Sequence, residues 1–147
     1  GDGKPVPGKL GDLYDTLMAR VRSAVGDKQP DSICFVWMQG ERDAKEMHDA
    51  VYAASMQGLI EQLRGDLKRK DVYVVIGRLS DNLQTPNWEA VRKAQVQVAE
   101  RDPLAGWVDT DDLNGPNDGL HYTKDGYKEL GDRFAKKAIA LLAGSKK

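Results

Sequence analysis

The sequence predicts an α/β domain built on a parallel sheet. Three observations carry this. Helical and strand-like periods alternate along the chain, in the order α-β-α-β-α-β-α. The run Val72-Tyr73-Val74-Val75-Ile76 is apolar throughout, which suits a strand buried on both faces. A polar segment with a glycine follows each strand, where open sheets of this kind bind their ligands. Alternation of this sort implies right-handed crossovers and helices on both faces of the sheet.

Leu10, Leu13, Leu17, Val21 and Val25 recur at helical spacing, and Gly26 follows as a stop. Ile33 to Met38 is a short apolar run behind Pro30 and Asp31 and reads as the first strand. Met47, Val51, Met56, Leu59, Leu63 and Leu67 predict one longer second helix. The second strand is Val72–Ile76. Thr85-Pro86 is a helix start, with Thr85 as N-cap and Pro86 at the first helical position. Trp88, Val91, Val98 and Ala99 continue that helix. Trp107-Val108 is a short third strand. Thr123 caps a last helix carrying Tyr127, Leu130, Phe134, Ala138 and Leu141. Three strands are few for a parallel sheet, and the chain opens on a helix with no strand before it. Both facts predict that one or two N-terminal strands are lacking from residues 1–147.

Composition narrows the function. The 147 residues hold 22 Lys and Arg against 23 Asp and Glu, for a formal charge of −1. They are 40% hydrophobic and 31% charged, a globular composition. That length suits one domain of about 100–200 residues. Nucleic-acid binding would call for a basic excess. Spanning a bilayer would call for about 20 consecutive apolar residues, and no run approaches that. Residues Gly1 to Pro5 show no apolar signal core. The one cysteine, Cys34, excludes an internal disulfide and a Cys-based zinc site. It sits in a strand-like run and reads as a buried structural thiol.

The chemistry is expected in Gln39–Asp43, Gly77–Thr85 and Asp109–His121. In the first, Gly40 permits a sharp turn, Gln39 offers amide donors, and Glu41 and Asp43 stand near a helix N-terminus. A plain turn with a charged helix start would have the same composition. In the second, Ser80 lacks both a neighbouring base and a Gly-x-Ser-x-Gly elbow, and reads as a turn or capping residue. The third is acidic, but the calcium-loop frame fails. With Gly115 in sixth place, Thr110 stands first and His121 twelfth. Asp118-Gly119-Leu120-His121 reads better. An Asp three residues before a His on a loop can fix the imidazole tautomer and leave the other nitrogen as general base. His48 reads as a solvated residue of the second helix. Arg64, Lys68, Arg69 and Lys70 read as its solvated basic end. Trp37 and Trp88 could line a sugar site, though packing is the commoner fate.

Together these segments resemble the SGNH-hydrolase superfamily. The nearest group within it is the sialate O-acetylesterase and acetylxylan-esterase-like group, carbohydrate esterase family six. Trp37-Met38-Gln39-Gly40-Glu41-Arg42-Asp43-Ala44 is similar to that group's Trp-x-Gln-Gly-Glu-Ser-Asp segment. Val75 to Ser80 resembles its next strand and loop. Asp118-Gly119-Leu120-His121-Tyr122, with Gly126-Tyr127 and Leu130 to Ala135, resembles its terminal Asp-x-x-His block and last helix. The likeness runs from about Leu10 to Leu142.

The resemblance implies a three-layer α/β/α, flavodoxin-like domain that hydrolyses O-acyl esters, typically acetyl groups on carbohydrates or small esters. It implies His121 as general base, Asp118 as its orienting partner, Gln39 and Gly40 in the oxyanion block, and Glu41 as a site-shaping neighbour. It implies no metal and no organic cofactor, and it suggests an address outside the cytoplasm by analogy only. Two departures stand out. Arg42 replaces the family's Ser after Glu. The Gly-x-Ser-Asn-like nucleophile block is absent from residues 1–147, and Ser23, Ser32, Ser55 and Ser145 lack its setting. The expectation is therefore a single unit, the C-terminal portion of a larger esterase domain, inactive without the rest. The alternative is a non-catalytic carbohydrate-binding or scaffold module of the same fold. A nucleotide or phosphate binder is the weaker option, because no strand-to-helix turn carries a Gly-rich cradle.

Overall fold

The computed structural model describes residues 11–116 and 120–144. The chain divides into two compact units, Gly1–Asp31 and Ser32–Lys147. In the first, helix α1 (Asp12–Val25) has Asp12 and Asp15 in its first turn and Arg22 in its last, which suits the helix dipole. Gly26 ends it at a positive φ of 55°, with its N–H on the Arg22 carbonyl. Leu10, expected on this helix, lies outside the described residues.

The second unit carries β1 (Ile33–Trp37), α2 (Glu41–Lys45), α3 (Asp49–Asp66), β2 (Val72–Gly77), α4 (Pro86–Arg101), β3 (Ala105–Val108) and α5 (Lys124–Gly144). A short 3-10 turn, Asp111–Leu113, follows β3. All strands are parallel in the order β1-β2-β3. Ile33 pairs with Val72, and Val74 with Ala105. Every residue of β2 is buried, as its β-branched run predicts. Successive side chains alternate across it. Val74 and Ile76 pack with Tyr52, Met56 and Ile60 of α3 and with Trp88, Val91 and Val98 of α4. Val75 packs on the opposite face with Val108, Leu130 and Phe134. The result is three layers, with a parallel sheet between helices. No helix among the described residues is long and apolar enough to cross a membrane.

The structure corrects several local expectations. The second helix is two helices. Met47 takes a φ of 59° and is 74% exposed, so it breaks the run instead of joining an apolar face. His48 stands at the junction as the N-cap of α3, and it is exposed. Leu67 lies past the helix end, as its C-cap. Arg64 is no solvated end residue. Its guanidinium pairs with Asp102 at 2.7 Å and donates to the Val72 carbonyl at 2.9 Å, tying α3 to the start of β2 and the end of α4. Cys34 is half-buried, because β1 is an edge strand among the described residues. What burial it has raises its thiol pKa.

Candidate active site

The loops after β1, β2 and β3 meet at the carboxyl end of the sheet. They enclose a pocket of about 410 Å³ lined in part by Glu41, Leu79, Ser80, Trp88, His121, Tyr122 and Tyr127. Residues from all three segments singled out in the sequence thus face one cavity.

The first loop turns at Gly40, whose φ is 152°. Only glycine is comfortable there. A Cβ would also stand 2.9 Å from Val91 Cγ1, 3.1 Å from Gln95 Nε2 and 3.2 Å from Leu79 Cδ1. The Gly40 N–H donates to the Glu41 carboxylate at 2.9 Å. The Gln39 side-chain amide turns to Asp43, at 2.5 Å. The Gln39 backbone carbonyl accepts from the Tyr52 hydroxyl at 2.8 Å and from Gln95 Nε2 at 2.9 Å. Glu41 therefore reaches the pocket, while Gly40 lies buried and Gln39 is anchored beside them.

The second loop is held from α4. Ser80 is buried, and its backbone carbonyl accepts from Trp88 Nε1 at 2.7 Å. Trp88 is thus a packing residue with a satisfied N–H. Trp37 is half-buried, with Nε1 3.2 Å from the Tyr52 hydroxyl and its ring 5.7 Å from Phe35. At the start of α4, Thr85 Oγ1 accepts from the Trp88 N–H, the cap expected of Thr85-Pro86.

The acidic third loop is tied by arginines. Asp111 takes a two-pronged pair from Arg92, at 2.7 and 3.0 Å, and a contact from Arg78 at 2.6 Å. Asp112 pairs with Arg133 at 2.6 Å, and Asp109 with Arg78 at 2.7 Å. Among the described residues, no group of three His, Cys, Asp or Glu is arranged to hold a metal ion. Thr110 is fully buried and donates to the Arg78 carbonyl at 2.7 Å. Burial pushes the Tyr122 phenol up, opposed by its hydrogen bond with Thr110. His121 is exposed at the pocket, three residues before α5, and Thr123 caps that helix through the Gly126 N–H at 3.0 Å. Asp118 lies outside the described residues.

The Arg92 guanidinium, then Arg78, holds the Asp111 carboxyl below the usual carboxylate range. A carboxyl whose pKa is lower when folded stabilises the fold at neutral pH. That contribution persists down to the unfolded pKa, about 4. It is lost as pH falls further, through the folded value. Asp111→Asn should therefore flatten the fall in melting temperature between pH 5 and pH 3. Equal falls in the variant and the parent protein would remove this pair as a source of acid sensitivity.

Residues 4–140 match the family described as carbohydrate esterase, sialic acid-specific acetylesterase. The chain belongs to that family. A solved structure of an Arabidopsis thaliana protein is similar to this chain, with a TM-score of 0.73 and 25% identity. The alignment covers 89% of this chain and 52% of that one, so this chain spans about half the length of that relative. No curated protein matches significantly.

Sequence reasoning missed Tyr52, Arg92 and Gln95. A signal was present for Gln95. Trp88, Val91, Gln95, Val98 and Ala99 form one helical stripe, so a polar residue at 95 must face the core.

Proposed function

We propose that this chain is the C-terminal portion of a serine esterase domain that removes O-acetyl groups from carbohydrates. In this reading His121 is the general base and Asp118 orients it. Gln39, Gly40 and Glu41 form the oxyanion side, and the nucleophilic serine comes from outside residues 1–147. One observation carries the reading: His121 and Glu41 line the same pocket, at the carboxyl ends of parallel strands.

His121 accepts the proton of the serine hydroxyl as that oxygen bonds to the ester carbonyl carbon. The resulting oxyanion needs donors, each worth about 10²–10³ in rate. Asp43 holds one hydrogen of the Gln39 amide and so orients the other. The Gly40 N–H becomes available when the Glu41 carboxylate turns away from it. Collapse breaks the bond to the sugar oxygen, which leaves with the proton from His121. Water, deprotonated by the same imidazole, then cleaves the acyl-enzyme to acetate and free serine.

The test is fluorophosphonate labelling of the full-length protein, read by peptide mapping. The expected label is on a serine outside residues 1–147, and it should disappear in His121→Ala. A label on Ser80, which lines the same pocket, would move the nucleophile there. Saccharide binding with no label and no ester cleavage would leave a non-catalytic module instead.

A further inference from the structure

Leu79, just past β2, is held by its backbone from one helix. Its N–H donates to Gln95 Oε1 at 2.8 Å, and its carbonyl accepts from Arg92 Nη1. Arg92 and Gln95 lie one turn apart on α4, and both are buried, Gln95 completely. Each also reaches a second loop. Gln95 Nε2 donates to the Gln39 carbonyl at 2.9 Å and to the Tyr52 hydroxyl at 3.2 Å. Arg92 grips Asp111 with both terminal nitrogens.

An apolar side chain at position 95 would pack against the sheet at lower desolvation cost. The amide is instead fully used, with both hydrogens donated and the oxygen accepting. The orientation of that amide follows from its neighbours, since Leu79 offers a donor and Gln39 an acceptor. The Tyr52 hydroxyl is saturated too, accepting from Trp37 and Gln95 while donating to Gln39. A buried network with matched donors and acceptors admits one geometry.

We infer that Arg92 and Gln95 are positioning residues that fix the three strand-end loops relative to one another. Gln95 joins the Gln39–Gly40 loop to the Leu79–Ser80 loop, and Arg92 joins the latter to the Asp111 loop. Through these links they set the spacing of Glu41, Ser80 and His121 around the pocket. The catalytic consequence rests on the esterase reading above; the mechanical link does not.

The test uses the full-length protein with Gln95→Met, Arg92→Met and Arg92→Lys, and Val98→Ala as a core-weakening control on the same helix. Four quantities are read: kcat and KM on 4-nitrophenyl acetate, melting temperature, and amide hydrogen exchange by NMR. Misplacing a catalytic group by about 1 Å costs up to about 10²-fold. Gln95→Met and Arg92→Met should therefore lower kcat about 10–100-fold while KM stays within about threefold. Arg92→Lys, which keeps the charge and a donor, should recover part of the loss. Val98→Ala should lower the melting temperature and leave kcat of the folded enzyme unchanged. Exchange at Leu79 and Gly40 should quicken in Gln95→Met, and exchange at residues 110–112 in Arg92→Met. An unchanged kcat in folded Gln95→Met and Arg92→Met, or an equal loss in Val98→Ala, would overturn the inference. If the parent protein cleaves no ester, the esterase reading fails. The exchange data then decide: quickening across the two joined loops upholds the link, and unchanged exchange overturns it.

Discussion

Replacing His121 with alanine is expected to cut ester hydrolysis by the full-length protein about 10³-fold or more. The argument is chemical. Without the imidazole, a serine hydroxyl remains protonated and weakly nucleophilic, and the departing sugar oxygen has no acid to protonate it. The fold should not change, because His121 is exposed and contributes no side chain to either core cluster. The measurement is kcat/KM on an aryl acetate beside a far-UV circular dichroism melt. A variant that melts like its parent and retains more than a tenth of the activity would reject His121 as the base. Loss of activity together with loss of fold is guarded against by His121→Gln, which keeps a polar side chain of similar reach.

Gly40→Ala is the second large effect, and it acts on both stability and turnover. The new methyl would press on Val91, Gln95 and Leu79 at 2.9–3.2 Å, in a backbone conformation that only glycine takes without strain. Overpacking and strain together should cost about 2–5 kcal/mol. That is a large share of the usual 5–15 kcal/mol of a domain. The melting temperature should fall by on the order of 10 °C. Gly58→Ala is the matched control. It lies in α3, and its Cβ would meet nothing within 4 Å. There the substitution should stabilise by about 0.4–1 kcal/mol, by restricting the unfolded chain. Equal melting temperatures for Gly40→Ala and its parent would show that the first loop can move away from α4.

These two sites also mark what could be read from sequence. β2 was legible because every one of its residues is buried, so composition alone betrays it. The start of α4 was legible because Thr85 and Pro86 act locally, within one turn. The break at Met47 was not. Met47 and Val51 keep helical spacing, and a left-handed methionine leaves no compositional trace. The Gly40–Glu41 and His121 segments could be picked out by type and order, whereas their meeting in one pocket depends on the crossovers. Arg64 was misread because its partner, Asp102, is 38 residues away. The same holds for the Gln95 network, which joins residues 43 and 56 positions apart. Hydrogen bonds of that span have no local signature. Asp118 could be named from its spacing to His121, but it lies outside the described residues.

The parallel sheet also dictates how this unit can assemble in time. Among the described residues, β2 alone has a strand on each side, and each pairing joins positions roughly thirty to forty residues apart. Neither pairing can form by a local hairpin, so each must close a long loop before it returns any favourable contact. Topologies dominated by such distant pairings fold slowly, on the order of milliseconds to seconds, well behind helical bundles. A nucleus would need β2 together with α3 or α4, the helices that bridge its two closures. Truncations at Val74 or Ile76 should slow refolding, whereas truncations on the outer turns of α5 should mainly hasten unfolding.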